Sequence, residues 1–149
     1  MSGTLAHYKE EVESTMEARL EWQRELIFTA STQRGYDIDF DAQSQWGCMP
    51  LESLLLSLAG CMAIDVVSIL EKMRCEITGM RMDIRAERSS TPPQRLESAR
   101  LMIHLRGNGL DDSKVARAIA LSEEKYCSVK HSLREDIEIA TEARIEESS

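Results

Sequence analysis

The apolar positions of this chain run first at a period of two, then at a helical period, then at two again. Residues 18–22 alternate apolar with polar side chains, residues 26–31 form a β-rich run, and residues 36–41 set Tyr36, Ile38 and Phe40 against Asp37, Asp39 and Asp41. Alternation of this kind reads as half-buried strands. The short connectors, Gln23, Arg24 and Glu25, then residues 32–35, predict a meander. Residues 42–49 read as a loop that closes on Gly47, Cys48 and Met49. Pro50 comes next, and proline suits the first turn of a helix, where a missing N–H costs nothing. From there Leu51, Leu54, Leu55, Leu58, Met62, Val66, Ile69, Leu70 and Met73 fall at helical spacing. Ala59, Gly60, Ala63, Ile64 and Val67 make the opposite side apolar as well. A helix apolar on every side needs cover on every side. In a domain of this size that means a sheet and another helix, and a second subunit is one source of the latter.

In the second half Gly79 reads as a break. Residues 80–88 and 100–106 alternate as strands, joined through residues 89–93, and Gly107, Asn108 and Gly109 read as a turn. Residues 111–126 predict an amphipathic helix with Val115, Ala118, Ile119 and Ser122 on one face. Asp111 and Asp112 at its start favour the helix dipole. Residues 128–136 read as a further helical segment and residues 137–145 as a final strand. The predicted order is β-β-β-α-β-β-α-α-β, an α+β fold, with residues 1–17 as a polar arm and 18–149 as a single domain.

Composition narrows the function classes. The 149 residues suffice for one domain with a real core. A charged fraction of 30% beside 42% hydrophobic residues predicts a folded, soluble chain. The net charge of −8 argues against a nucleic-acid or anionic-membrane partner, and 5% aromatics argues against a base-stacking surface. The N-terminal residues lack a basic start followed by an apolar run, and the longest uncharged stretch, residues 53–64, is too short to span a bilayer and ends at Asp65. A cytoplasmic location is therefore expected, where four cysteines rest reduced and a disulfide is more readily catalytic than structural.

Cys48, Cys61, Cys75 and Cys127 contain no Cys-x-x-Cys pair, and no histidine stands at a ligand spacing, so no structural zinc is expected. Two of these thiols have distinctive settings. Cys61 lies within the apolar helix and Cys127 at the end of the amphipathic one. Taken alone, Cys61 is equally a reactive thiol or a small hydrophobe filling the core. Burial in an apolar helix works against a thiolate, so reactivity there calls for a nearby cation. Cys127 has Lys125, Lys130 and His131 near it in sequence, and a cap at Ser128 would add dipole help. Asp65 is a charge within the core helix and, if buried, needs a partner; the alternatives are emergence at an edge of the helix or a hydrogen bond across a dimer. His7, His104 and His131 stand isolated in the sequence, as structural or solvent-exposed residues.

This order of elements resembles the OsmC/Ohr superfamily, and most nearly its less-characterised OsmC-like branch. The segments that carry the resemblance are residues 50–56, Gly60 with Cys61, and residues 65–70 in the first half, then residues 115–119 and 122–129 in the second. It extends from about Ala18 to Ile145. It implies curved sheets packed around buried central helices in an intertwined homodimer, with active sites at the subunit interface. It also implies thiol-dependent reduction of organic hydroperoxides, with no metal or prosthetic group and with an external thiol or dithiol as reductant. Cys61 then corresponds to the peroxidatic thiol and Cys127 to the resolving thiol. Arg24 stands roughly where peroxidase members carry a catalytic arginine, with Arg34 as the fallback, although neither has the glycine-rich setting used there. Glu52 lies one residue beyond the acidic position that orients that arginine. Such an offset turns a side chain by about 100 degrees on a helix, and a first-turn glutamate equally serves the dipole. Cys48 and Cys75 have no counterpart. Two rival readings stay open: a non-catalytic member that binds an apolar ligand or senses redox state, and a disulfide-exchange protein.

Overall fold

The computed structural model describes residues 14–147, so the expected N-terminal arm lies almost wholly outside the described residues, as does His7. The chain divides into two compact units, one ending at Leu56 and the other beginning at Ser57.

The N-terminal unit holds a three-stranded antiparallel meander of β1 (Ala18–Arg24), β2 (Ile27–Thr32) and β3 (Asp37–Asp41). Its register stacks Leu20, Ala30 and Ile38 in one cross-strand row and Trp22, Phe28 and Phe40 in the next, giving an apolar face. The other face is polar: the Thr29 hydroxyl donates to Asp39 at 2.8 Å and the Ser31 hydroxyl to Asp37 at 2.7 Å. Leu20, Trp22 and Ile38 remain exposed. At the end of β3 the Asp41 carboxylate accepts the backbone N–H groups of Gln43, Gln45 and Trp46 and so fixes the adjoining loop. The hydrogen bond from Gln43 is the leading reason its carboxyl is held below the ordinary 3.8.

Helix α1 (Pro50–Lys72) begins in this unit. Pro50 takes the first helical position, and Glu52 reaches back to accept the Met49 N–H at 2.7 Å, half of a capping box. The helix is not buried on every side. Leu58, Met62, Val66 and Leu70 are fully buried, whereas Leu56 and Ile64 are exposed. The whole helix, 23 residues with a window of mean hydropathy 2.1, is long and apolar enough to cross a bilayer, although residues 53–64 are not. Asp65 sits buried within it and is hydrogen-bonded, and Val66 and Leu70 join the protein core, as befits a core helix.

The C-terminal unit contains a second three-stranded sheet, β4 (Glu76–Arg88), β5 (Leu96–Asn108) and β6 (Glu138–Ile145), in the order β4-β5-β6. Strands β4 and β5 form a long antiparallel hairpin, and β6 lies parallel to β5. Both hairpin strands are longer than the alternation predicted. Gly79 is not a break but lies inside β4, at a register shift between Ile77 and Gly79. Gly107 and Asn108 belong to β5 and not to a turn. A side chain on Gly107 would collide with the Glu76 carbonyl, so glycine here serves close strand approach. Helix α2 (Asp112–Leu121) is capped by Asp111, which accepts the Lys114 N–H at 2.8 Å. It ends earlier than predicted, in a π-helical turn over Ser122–Tyr126, and the short helix α3 covers only Ser128–Ser132.

The core joins Val66 and Leu70 of α1, Ile103 and Leu105 of β5, and Val115, Ala118 and Ile119 of α2. His104 is not isolated: its Nδ1 lies 2.8 Å from Glu146 and its Nε2 3.2 Å from Asp83, linking β4, β5 and the residue after β6. Leu70→Ala empties a fully buried position. It is expected to cost about 2–5 kcal/mol of stability, measured by chemical denaturation.

Candidate functional site

The central helix and the π-helical turn bring two thiols and a carboxylate to one point. Cys61 and Asp65 are four residues apart on α1, so their side chains share a helix face. Cys127 comes from the other direction. The π-helical turn widens the backbone so that the Cys127 N–H reaches the Ser122 carbonyl at 2.8 Å, five residues back. Turns of this type recur at functional sites because the extra residue re-aims the next side chain. Here that side chain is Cys127, fully buried. The sulfurs of Cys61 and Cys127 and a carboxylate oxygen of Asp65 all lie within 4.8 Å of one another. Neither cysteine is in a disulfide.

Polar groups gather where α1 meets the turn. Ser122, itself fully buried, donates its hydroxyl to Asp65 at 2.8 Å. This satisfies the requirement, evident in the sequence, that a buried Asp65 find a partner, and the partner comes from the same chain. The Ser128 hydroxyl lies 3.7 Å from the Cys61 sulfur. Cys127 itself, and not Ser128, caps α3, its sulfur accepting the Lys130 N–H at 3.4 Å.

Burial pushes the Cys127 thiol up from 9.0 to about 11. The Cys61 thiol and the charge of Asp65 push the same way, and the Lys130 N–H opposes them. The neighbouring lysines therefore do not make Cys127 a resting thiolate. Lys130 offers the sulfur its backbone N–H, and the Lys125 ammonium lies over the Tyr126 ring, 5.6 Å from its centre. Cys61 is only partly buried, so it is the more accessible of the two residues.

The remaining sequence candidates have settings of their own. Arg24 ends β1, is exposed, and its charge acts on Asp41. Arg34 is exposed in the turn between β2 and β3. Glu52 accepts the Met49 N–H in the first turn of α1. All three belong to the N-terminal unit. The Cys48 sulfur lies 3.8 Å from the Asp39 carbonyl, and the buried Cys75 sulfur donates to the Gly109 carbonyl at 3.3 Å. Sequence reasoning did not assign Asp65, Ser122 or Ser128 to the site. For Asp65 the four-residue step from Cys61 was the available signal. Nothing in the sequence linked Ser122 to it across 57 positions.

A thiol whose neutral form is favoured by folding contributes stability that is complete below its unfolded value of 9.0 and is lost as pH rises through about 11. Denaturant unfolding between pH 8 and pH 11 is therefore expected to show a fall in stability that Cys127→Ser reduces.

The family model for OsmC-like proteins matches residues 41–142. Protein YhfA of Escherichia coli strain K12 is 37% identical over 125 residues, which cover 83% of this chain and 93% of that protein. The crystal structure of a hypothetical protein from Aquifex aeolicus VF5 is similar with a TM-score of 0.83 at 26% identity, covering 92% of this chain and all of that one. An organic hydroperoxide resistance protein OsmC from Legionella pneumophila shares the fold with a TM-score of 0.66 at 14% identity, over 89% of this chain and 98% of that one. With two thirds of its length matched by the family model and this degree of identity to YhfA, the chain belongs to the OsmC-like protein family.

Proposed function

We propose that this protein reduces organic hydroperoxides, with Cys61 as the peroxidatic thiol and Cys127 as the resolving thiol. The observation that carries the reading is the approach of the two sulfurs, which are not joined by a disulfide, to within 4.8 Å. A disulfide bond is about 2.05 Å long, so bond formation needs a movement of less than about 3 Å. In the first step the Cys61 thiolate attacks the distal oxygen of the hydroperoxide. An S–O bond forms, the O–O bond breaks, and the alkoxide takes a proton and leaves as the alcohol. In the second step the Cys127 sulfur attacks the Cys61 sulfenic acid. The S–S bond forms and the S–O bond breaks, and hydroxide leaves as water with the proton from the Cys127 thiol. An external thiol or dithiol then supplies two electrons to reopen the disulfide.

The apolar helix that carries Cys61 favours alkyl or lipid hydroperoxides over hydrogen peroxide. The resemblance to peroxidase members supplies Arg24 as the cation that activates Cys61, with Glu52 to orient it. A cytoplasmic, reducing setting is part of this reading, in which the four cysteines rest as thiols and a disulfide forms only in turnover.

A homodimer is part of the same reading. Leu56 and Ile64 leave apolar surface exposed on α1, and Leu20, Trp22 and Ile38 leave one face of the first sheet uncovered. Apolar surface of this extent on a small chain calls for cover, and a second copy supplies it.

The pre-reduced protein is expected to consume about one equivalent of an alkyl hydroperoxide per chain and to yield a Cys61–Cys127 disulfide, mapped by mass spectrometry. Cys61→Ser should reduce consumption to the uncatalysed background. Cys127→Ser should still consume peroxide but stop at a Cys61 sulfenic acid, trapped by dimedone. No consumption, with both thiols still reduced, overturns the proposal. Ile64→Glu is expected to convert a dimer into a monomer in multi-angle light scattering; a monomeric unaltered protein would reject the dimer.

A further inference from the structure

The same cluster has a second chemical capacity. Two thiols and a carboxylate that converge from two different elements make a three-ligand set for a thiophilic cation. We propose that reduced Cys61, Asp65 and Cys127 form a binding site for a divalent metal of the zinc class. The site would exist only while both cysteines are thiols, because a disulfide between them removes two of its three ligands.

Geometry carries this inference. The three ligand atoms lie within 4.8 Å of one another. A tetrahedral zinc centre, with Zn–S near 2.3 Å and Zn–O near 2.1 Å, sets its ligands roughly 3.5–3.8 Å apart. The cluster therefore has to contract by no more than about 1.3 Å, within the reach of side-chain rotation. The Ser122 hydroxyl already fixes the Asp65 carboxylate at 2.8 Å, as an outer hydrogen-bond partner of a metal ligand does. A fourth ligand has access beside Cys61, which is only partly buried. There the Ser128 hydroxyl stands 3.7 Å from the sulfur and is itself exposed, so water or Ser128 can complete the shell.

Charge and ligand type fix the class of metal. Two thiolates and a carboxylate carry three negative charges, which repel one another in a buried place unless a cation joins them. Thiolates select soft or borderline ions, so Zn²⁺ fits and Mg²⁺ and Ca²⁺ do not. Cys48 and Cys75 take no part: one sulfur lies against the Asp39 carbonyl and the other donates to the Gly109 carbonyl. The metal site needs only the three ligands and stands whether or not the protein turns over peroxide. If it does turn over peroxide, a bound metal withholds Cys61 from the peroxide.

Zn²⁺ alone is the probe. The full-length, fully reduced protein is titrated with Zn²⁺ against a chromophoric chelator. One equivalent per chain is expected, with Co²⁺ giving thiolate-to-metal charge-transfer bands at the same site. Cys61→Ser and Cys127→Ser should each weaken Zn²⁺ binding by about 100-fold or more, and Asp65→Asn by at least about 10-fold, whereas Cys48→Ser and Cys75→Ser should bind as the unaltered chain does. A measurement without substitutions guards against a variant that does not fold. In the unaltered protein, Zn²⁺ should slow alkylation of Cys61 by iodoacetamide, read by peptide mass spectrometry, and a chelator should restore the rate. Zn²⁺ binding that survives Cys61→Ser or Cys127→Ser, or alkylation of Cys61 at the same rate with and without Zn²⁺, overturns the proposal. Peroxide consumption is measured separately on metal-free protein, so failure of one reading leaves the other standing.

Discussion

The site depends on one buried hydrogen bond, from the Ser122 hydroxyl to the Asp65 carboxylate at 2.8 Å. Both residues are buried, one on the central helix and the other where α2 gives way to the π-helical turn. A carboxylate inside a core is costly unless it is met by donors. Meeting it pins the start of the π-helical turn against α1 one helical turn beyond Cys61. The turn then delivers Cys127 to the same place. Thus a polar interaction between two buried residues joins the helix that carries Cys61 to the turn that leads to Cys127.

The chemistry rests on how unequally the two sulfurs are treated. Cys127 is fully buried, and its neutral thiol is favoured by burial and by the nearby Asp65 charge. Cys61 is partly open and has a hydroxyl as its neighbour. The proposed division of labour follows this inequality: the accessible residue meets a small oxidant and the sheltered one meets the product of that encounter. The same convergence underlies both the proposed disulfide and the proposed metal site, because both demand sulfurs a few ångströms apart.

The order of elements was legible in the sequence because it rests on local patterns. The alternation in residues 36–41, Pro50 at a helix start and the apolar spacing from Leu51 to Met73 all report on neighbours within a few residues. Errors fell where a local sign had a tertiary cause. Gly79 and Gly107 looked like punctuation, yet both lie within strands, one at a bulge and the other where a neighbouring backbone comes too close for a side chain. The amphipathic pattern runs on to Tyr126 without a break, because the change from α- to π-helical hydrogen bonding shifts by one residue and leaves little trace in composition.

The sequence by itself determined that this is an α+β chain of the OsmC type, with Cys61 and Cys127 as its notable thiols. Helix and strand periods and the two cysteine-bearing segments are properties of the linear chain. Only the tertiary structure decided that Asp65 stands beside both sulfurs, that Ser122 holds it, and that His104 lies between Asp83 and Glu146. Spacing rules look for cysteine pairs close in sequence, whereas 66 positions separate the two cysteines that meet here. Contacts of that range are selected by the packing of helix on sheet, where the free energy of burying the core, and not any local preference, fixes which side chains meet.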